Sequence, residues 1–144
     1  MARPLPELIL FLDECLGTSD VADAFRRIGV RTECLVDHFP SGTRDEVWLP
    51  TVGANGWVVL TKDKWIRKRE VERRALEAGS VAAFVLTAGD LNGSEMATAF
   101  VRAYPRLRKA LRDHSPPFIA SVTANGEVAM LTDTPRRGGM RKEQ

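Results

Sequence analysis

Leu8-Ile9-Leu10-Phe11-Leu12 is an unbroken apolar run that stops abruptly at Asp13-Glu14. A strand with one wet face alternates polar and apolar residues, whereas five apolar residues in succession suit a strand covered on both faces, as in a parallel sheet between helices. Outward from this run the pattern repeats. Thr18 or Ser19 can cap a helix with Asp20 and Asp23 in its first turn, and Val21, Ala24, Phe25 and Ile28 form one buried stripe at i, i+3, i+4, i+7. Gly29 stands where a helix ends, and Val30 to Val36 reads as a second strand leading to a loop at Asp37.

Thr43-Arg44-Asp45-Glu46 fits a capping box, with Val47, Trp48 and Val52 expected inward and Pro50 expected to shorten or kink the helix. Gly56 to Thr61 is a third strand that runs into Lys62-Asp63. A basic helix over Glu70 to Ala78, a buried strand over Val81 to Leu86 and a long helix opened by Asn92-Gly93-Ser94-Glu95 follow. That last helix carries Ala97, Phe100, Val101, Tyr104, Leu107 and Leu111 inward and contains Pro105. Phe118 to Val122, the Asn125-Gly126 turn and Val128 to Leu131 read as a hairpin. Strands alternating with helices in this order predict an α/β, Rossmann-like, mostly parallel sheet with helices on both faces and a C-terminal hairpin.

A chain of 144 residues, 44% hydrophobic, buries one core, so residues 1–134 are expected to form a single domain and 135–144 a basic, disordered tail. No stretch approaches the roughly 20 apolar residues of a membrane span, and the start shows no secretory signal. Cys15 and Cys34 make neither a CxxC pair nor a zinc set and read as reduced thiols of a cytoplasmic protein. A net charge of +2 says little about partners, but seven of the 21 Lys and Arg fall between Lys62 and Arg74. A second basic group, Arg102, Arg106, Arg108, Lys109 and Arg112, reads as a solvated helix face.

The acids carry the functional argument. In parallel sheets ligands bind at the carboxyl ends of the strands. Asp13 and Glu14 follow the first strand, Asp37 the second and Asp63 the third, while Asp45 opens the helix before the third strand. Gathering such charges is costly unless a cation sits among them, and Mg²⁺ or Mn²⁺ accepts hard oxygen ligands. Asp13, Asp45 and Asp63 are the leading candidates, with Glu14, Asp37 and Glu46 as competitors, Glu46 reading more readily as a cap. Asp20 and Asp23 complement a helix dipole, and His38 and His114 read as ordinary loop or helix-end residues.

Phe11-Leu12-Asp13-Glu14, Asp45-Glu46-Val47-Trp48-Leu49 and Gly56-Trp57-Val58-Val59-Leu60-Thr61-Lys62-Asp63, in that order and with 18 residues from Asp45 to Asp63, resemble the PIN-like nuclease family and its VapC-like toxin branch. The resemblance runs from Leu8 to Leu131. It implies a Mg²⁺- or Mn²⁺-dependent ribonuclease in which Asp13, Asp45 and Asp63 match the family's acidic positions. It also implies an RNA substrate and a cognate antitoxin whose basic or hydrophobic tail covers the acidic pocket, and it leaves a homodimer open. A further acid on an intervening helix belongs to that pattern, and Asp37, Glu14 and Glu46 compete for its place. Lys62, Lys64, Arg67 and Arg69 would then neutralise RNA phosphates. Trp65 could stack on a base, although packing is the commoner use of such an aromatic.

Two other readings compete. A phospho-acceptor receiver domain shares the topology and would use Asp63 as acceptor, but it needs a lysine ending the fifth strand, and Phe118 to Thr123 contains none. An inactive relative that only binds RNA or protein would explain a missing fourth acid.

Overall fold

The computed structural model describes residues 8–16, 19–63 and 65–132, and its strands confirm the parallel reading. Strands β1 (Ile9–Leu12), β2 (Arg31–Cys34), β3 (Val58–Thr61), β4 (Ala82–Leu86), β5 (Phe118–Val122) and β6 (Val128–Met130) form one sheet in the order β2-β1-β3-β4-β5-β6. All neighbours are parallel except β5 and β6, which make the expected antiparallel hairpin. Gly126 supplies the positive φ of +86° that its turn requires. The expected tail from residue 135 lies outside the described residues, as does Thr18.

Because side chains alternate across a strand, each central strand feeds two cores. Leu10, Leu12, Leu60, Phe84 and Ala120 pack on one face with helices α1 (Asp20–Arg27) and α5 (Gly93–Asp113). Phe11, Val59, Ala83, Val85 and Ile119 pack on the other with α2 (Asp45–Asn55), the short α3 (Trp65–Lys68) and α4 (Glu70–Ala78). The capping box at α5 forms as expected: Asn92 Oδ1 accepts from the Glu95 amide at 2.8 Å, and Glu95 Oε1 accepts from the Asn92 amide at 2.9 Å.

Helix α2 departs from expectation in three ways. Its N-cap is Arg44, not Thr43, so Glu46 falls one position short of a capping box and pairs with Arg44 at 2.9 Å instead. The Thr43 hydroxyl donates to the Pro40 carbonyl. This phase turns Trp48, Leu49 and Val52 onto the sheet and leaves Val47 exposed. Pro50 does not shorten the helix, which runs through to Asn55. An interior proline costs about 3 kcal/mol, whereas fully burying each of those three side chains contributes about 1.5–3 kcal/mol, so packing wins. Strand β2 is also shorter than expected, because Leu35 leaves the sheet edge in a 3₁₀ turn (Leu35–Asp37) and buries itself beneath β1.

Candidate active site

The strand order runs outward from β1 to β2 and then turns back across the sheet to β3, so the gap between β1 and β3 is the switch point where parallel α/β sheets open a crevice for ligands. Asp13 follows β1 and Asp63 follows β3, one on each side of that point. The Asp13 amide donates to the Leu60 carbonyl at 3.0 Å, which fixes the end of β1 against β3. Thr61, fully buried, ties the two acids together. Its hydroxyl donates to Asp13 Oδ2 at 2.8 Å and accepts from the Asp63 amide at 3.0 Å. Cys15 completes this knot, with its sulfur 3.3 Å from Thr61 Oγ1 and accepting from the Lys62 amide at 3.4 Å. Burial and the charge of Asp13 push the Cys15 thiol up to about 11, so it stays protonated and inert at neutral pH.

Helices α2 and α4 bring two more acids to the same place. They pack with their N-termini together, and a Cβ on Gly53 near the end of α2 would lie 2.2 Å from the Gly79 carbonyl oxygen after α4. Only glycine allows that approach of the two backbones. The opposite ends of the helices present Asp45 in the first turn of α2 and Glu72 in the first turn of α4.

The electrostatics show the four acids acting on one another. A helix N-terminus ordinarily favours a carboxylate, yet the Asp45 carboxyl is pushed up to about 7, first by burial and then by the charges of Asp13, Asp63 and Glu72. The Trp48 indole N–H, which meets no acceptor in hydrogen-bond geometry, pulls only weakly the other way. Asp13 is also raised, by burial foremost and by Asp63 in part, against the lowering bond from Thr61. Glu72 is almost wholly buried, and its Oε1 has no hydrogen-bond partner. Its other oxygen takes a long contact, 3.4 Å, from Arg69 Nη1.

The competing acids lie elsewhere. Glu14 accepts from the Ser41 hydroxyl and the Gly42 amide at 2.8 and 2.9 Å, bonds that hold its carboxyl below the usual range and anchor the 40–42 loop. Glu46 is engaged by Arg44. Asp37 and Glu14 share with Asp13, Ser19, Arg26 and Cys34 a side cavity of about 270 Å³ beside α1, and none of the charges acting on Asp45 is theirs. His38 pairs with Glu33 at 2.8 Å and packs against Phe11 and Trp57, a structural use of the ring.

On the intervening helix α4 the acid whose charge acts on Asp45 is Glu72, which the sequence reading did not single out. A signal was present: Glu72 stands four residues before Leu76, so it occupies the buried stripe of α4, where a charge is out of place. Among the expected RNA contacts, Lys62 is half-buried beside the acids, Arg67 stands on α3, and Lys64 lies outside the described residues. Arg69 lies 3.4 Å from Glu72 and keeps about half of its side chain exposed.

A buried carboxylate oxygen without a donor, and a carboxyl raised to about 7 by burial and by its neighbours' charges, are what a hard divalent cation would satisfy, so the donor chemistry fits Mg²⁺ or Mn²⁺. Among the described residues no three Asp, Glu, His or Cys side chains already converge to grip one ion. The match is therefore of charge and donor type, and coordination requires the carboxyls to turn toward a shared point.

A family model described as "PIN like domain" matches residues 8–88, a span that includes all four acids, and the chain belongs to that family. A relative in Mycobacterium tuberculosis (strain ATCC 25618 / H37Rv), named "Putative ribonuclease VapC45", is 25% identical over 126 residues, covering 85% of this chain and 91% of the relative. No solved structure matches the chain. No described helix is long and apolar enough to cross a membrane.

Proposed function

We propose that this protein is a divalent-metal-dependent endoribonuclease and the toxin of a toxin–antitoxin pair. The observation that carries the reading is the gathering of Asp13, Asp63 and Glu72 around Asp45 at the sheet's switch point, where burial first and then their charges lift Asp45 to about 7. Membership of the PIN-like family and the name of the mycobacterial relative support RNA as the substrate.

Asp13, Asp45, Asp63 and Glu72 hold the cation. Bound Mg²⁺ or Mn²⁺ supplies a water of lowered pKa and offsets charge developing on the phosphodiester. Thr61 keeps the Asp13 carboxylate in place and orients the backbone before Asp63. Lys62 and Arg67, and Lys64 by its sequence position, neutralise backbone phosphates along the approach. Glu72 as a fourth acid favours this reading over an inactive relative.

The test compares RNA cleavage by wild type, Asp63→Asn and Glu72→Gln with Mg²⁺, Mn²⁺ or EDTA. Wild type is expected to cut with either ion and not with EDTA, and Asp63→Asn to lose about 10²–10³-fold in rate, as when other charge-stabilising groups are removed. Equal, chelator-insensitive cleavage by wild type and Asp63→Asn overturns the reading. Expression of wild type, but not Asp63→Asn, should arrest growth, and the product of the adjacent reading frame should relieve it.

A further inference from the structure

Three cations on or beside α4 are paired with acids of the same helix, but the pairs are unlike. Arg73–Glu77 and Arg74–Glu70, at 4.0 and 2.7 Å, join side chains that are all well exposed. Arg69–Glu72 joins an arginine that is 56% exposed to a carboxylate that is 11% exposed and acts on Asp45. Arg69 is the N-cap residue of α4 with extended backbone (φ −83°, ψ 129°), so it stands just before the helix, whereas Arg73 and Arg74 lie within it.

The contact is also incomplete. One Glu72 oxygen lies 3.4 Å from the guanidinium, and the other has no donor. A buried carboxylate in that condition is under-served, and whichever cation serves it better displaces the other. A divalent ion among four carboxylates offsets only two of their charges, so an entering phosphodiester still meets net negative charge. A guanidinium released from Glu72 at that edge is planar, permanently charged and shaped to grip a phosphate with two parallel N–H bonds.

We infer that Arg69 is a counterion of Glu72 in the metal-free site and moves from that carboxylate to the RNA phosphate when a divalent cation takes Glu72. The inference rests on the metal-dependent ribonuclease reading. It makes Arg69 a competitor of the metal and a helper of the substrate, two effects of opposite sign that a purely structural ion pair would not show.

The experiment titrates the metal-free protein with Mn²⁺ by calorimetry and measures cleavage of a random-sequence oligoribonucleotide pool at saturating Mn²⁺, for wild type, Arg69→Gln, Arg69→Lys and the control Arg73→Gln. Arg69→Gln is expected to bind Mn²⁺ about 3- to 10-fold more tightly, because a neighbouring positive charge is gone, and to cleave about 10- to 100-fold more slowly. Arg69→Lys, which keeps the charge without the fork, should bind Mn²⁺ as wild type does and cleave at an intermediate rate. Arg73→Gln should change neither. Unchanged or weaker Mn²⁺ binding by Arg69→Gln, or cleavage equal to wild type, overturns the inference while the nuclease reading stands. A wild type that neither binds Mn²⁺ nor cuts RNA removes both.

Discussion

The acids gathered at the switch point, Asp13 and Asp45 among them, and the outer acids Glu14, Glu33 and Asp113 belong to one fold and one solvent, yet the fold treats them in opposite ways. Glu33 is held low by His38 first and by Arg31, Glu14 by the Gly42 amide and the Ser41 hydroxyl, and Asp113 by Lys109 at 2.6 Å. Each has a donor that prefers its charged form. Asp13 and Asp45 are raised, because burial and like charges outweigh the donors they have. The chain thus supplies partners for its peripheral carboxylates and gathers the central ones against their charge, the contrast on which the proposed cation site rests.

The sharpest way to break that contrast is through Thr61, which joins Asp13 to Asp63 without being an acid. Thr61→Val removes the hydroxyl while keeping the shape, leaving Asp13 and the Asp63 amide without their shared partner. Cleavage should fall about 10- to 100-fold, the range seen when groups that orient metal ligands are lost, and urea unfolding should show a loss of about 1–3 kcal/mol. Cleavage within twofold of wild type would mean that the two acids are held by the backbone alone.

The contrast also fixes a pH dependence. Asp45 has an ordinary value of 3.8 and sits at about 7 in the folded protein. Between those values the folded state keeps a proton that the unfolded state has released, so unfolding becomes easier as pH rises. Stability of the metal-free protein should therefore decline from about pH 4 to pH 7 and level off above, and Asp45→Asn should flatten that decline. The lowered group of Glu14, Glu33 and Asp113 works in the other direction and at lower pH, its contribution vanishing as pH falls through the folded values. Thermal melts from pH 4 to 8 with EDTA and with Mn²⁺ check both limbs, and Mn²⁺ should raise stability most at the upper end. A melting point that climbs steadily from pH 4 to 7 without metal would contradict the repulsion among the four acids.

The smallest effect belongs to the paired population. Glu46→Gln breaks an exposed ion pair with Arg44 and should shift stability by no more than about 0.5 kcal/mol, with RNA cleavage within twofold of wild type. A large loss of cleavage would return Glu46 to the site and dissolve the distinction between the two groups.

What the sequence determined by itself was the layer plan and the strand-end acids. An apolar run covered on both faces, helices between strands and the rule that parallel crossovers are right-handed leave few arrangements, and in those Asp13 and Asp63 fall side by side. These are consequences of local period and chain direction, which a single sequence displays. The tertiary structure alone decided which helical acids join them. Arg44 rather than Thr43 starts α2, and the Gly53–Gly79 approach sets α2 beside α4. Those contacts bring Asp45 and Glu72 to the crevice and leave Glu46 with Arg44, while the 40–42 loop occupies Glu14. Helix phase shifts with a cap moved by one residue, and carboxylate partners are chosen through space, so neither was written in the spacing of the acids.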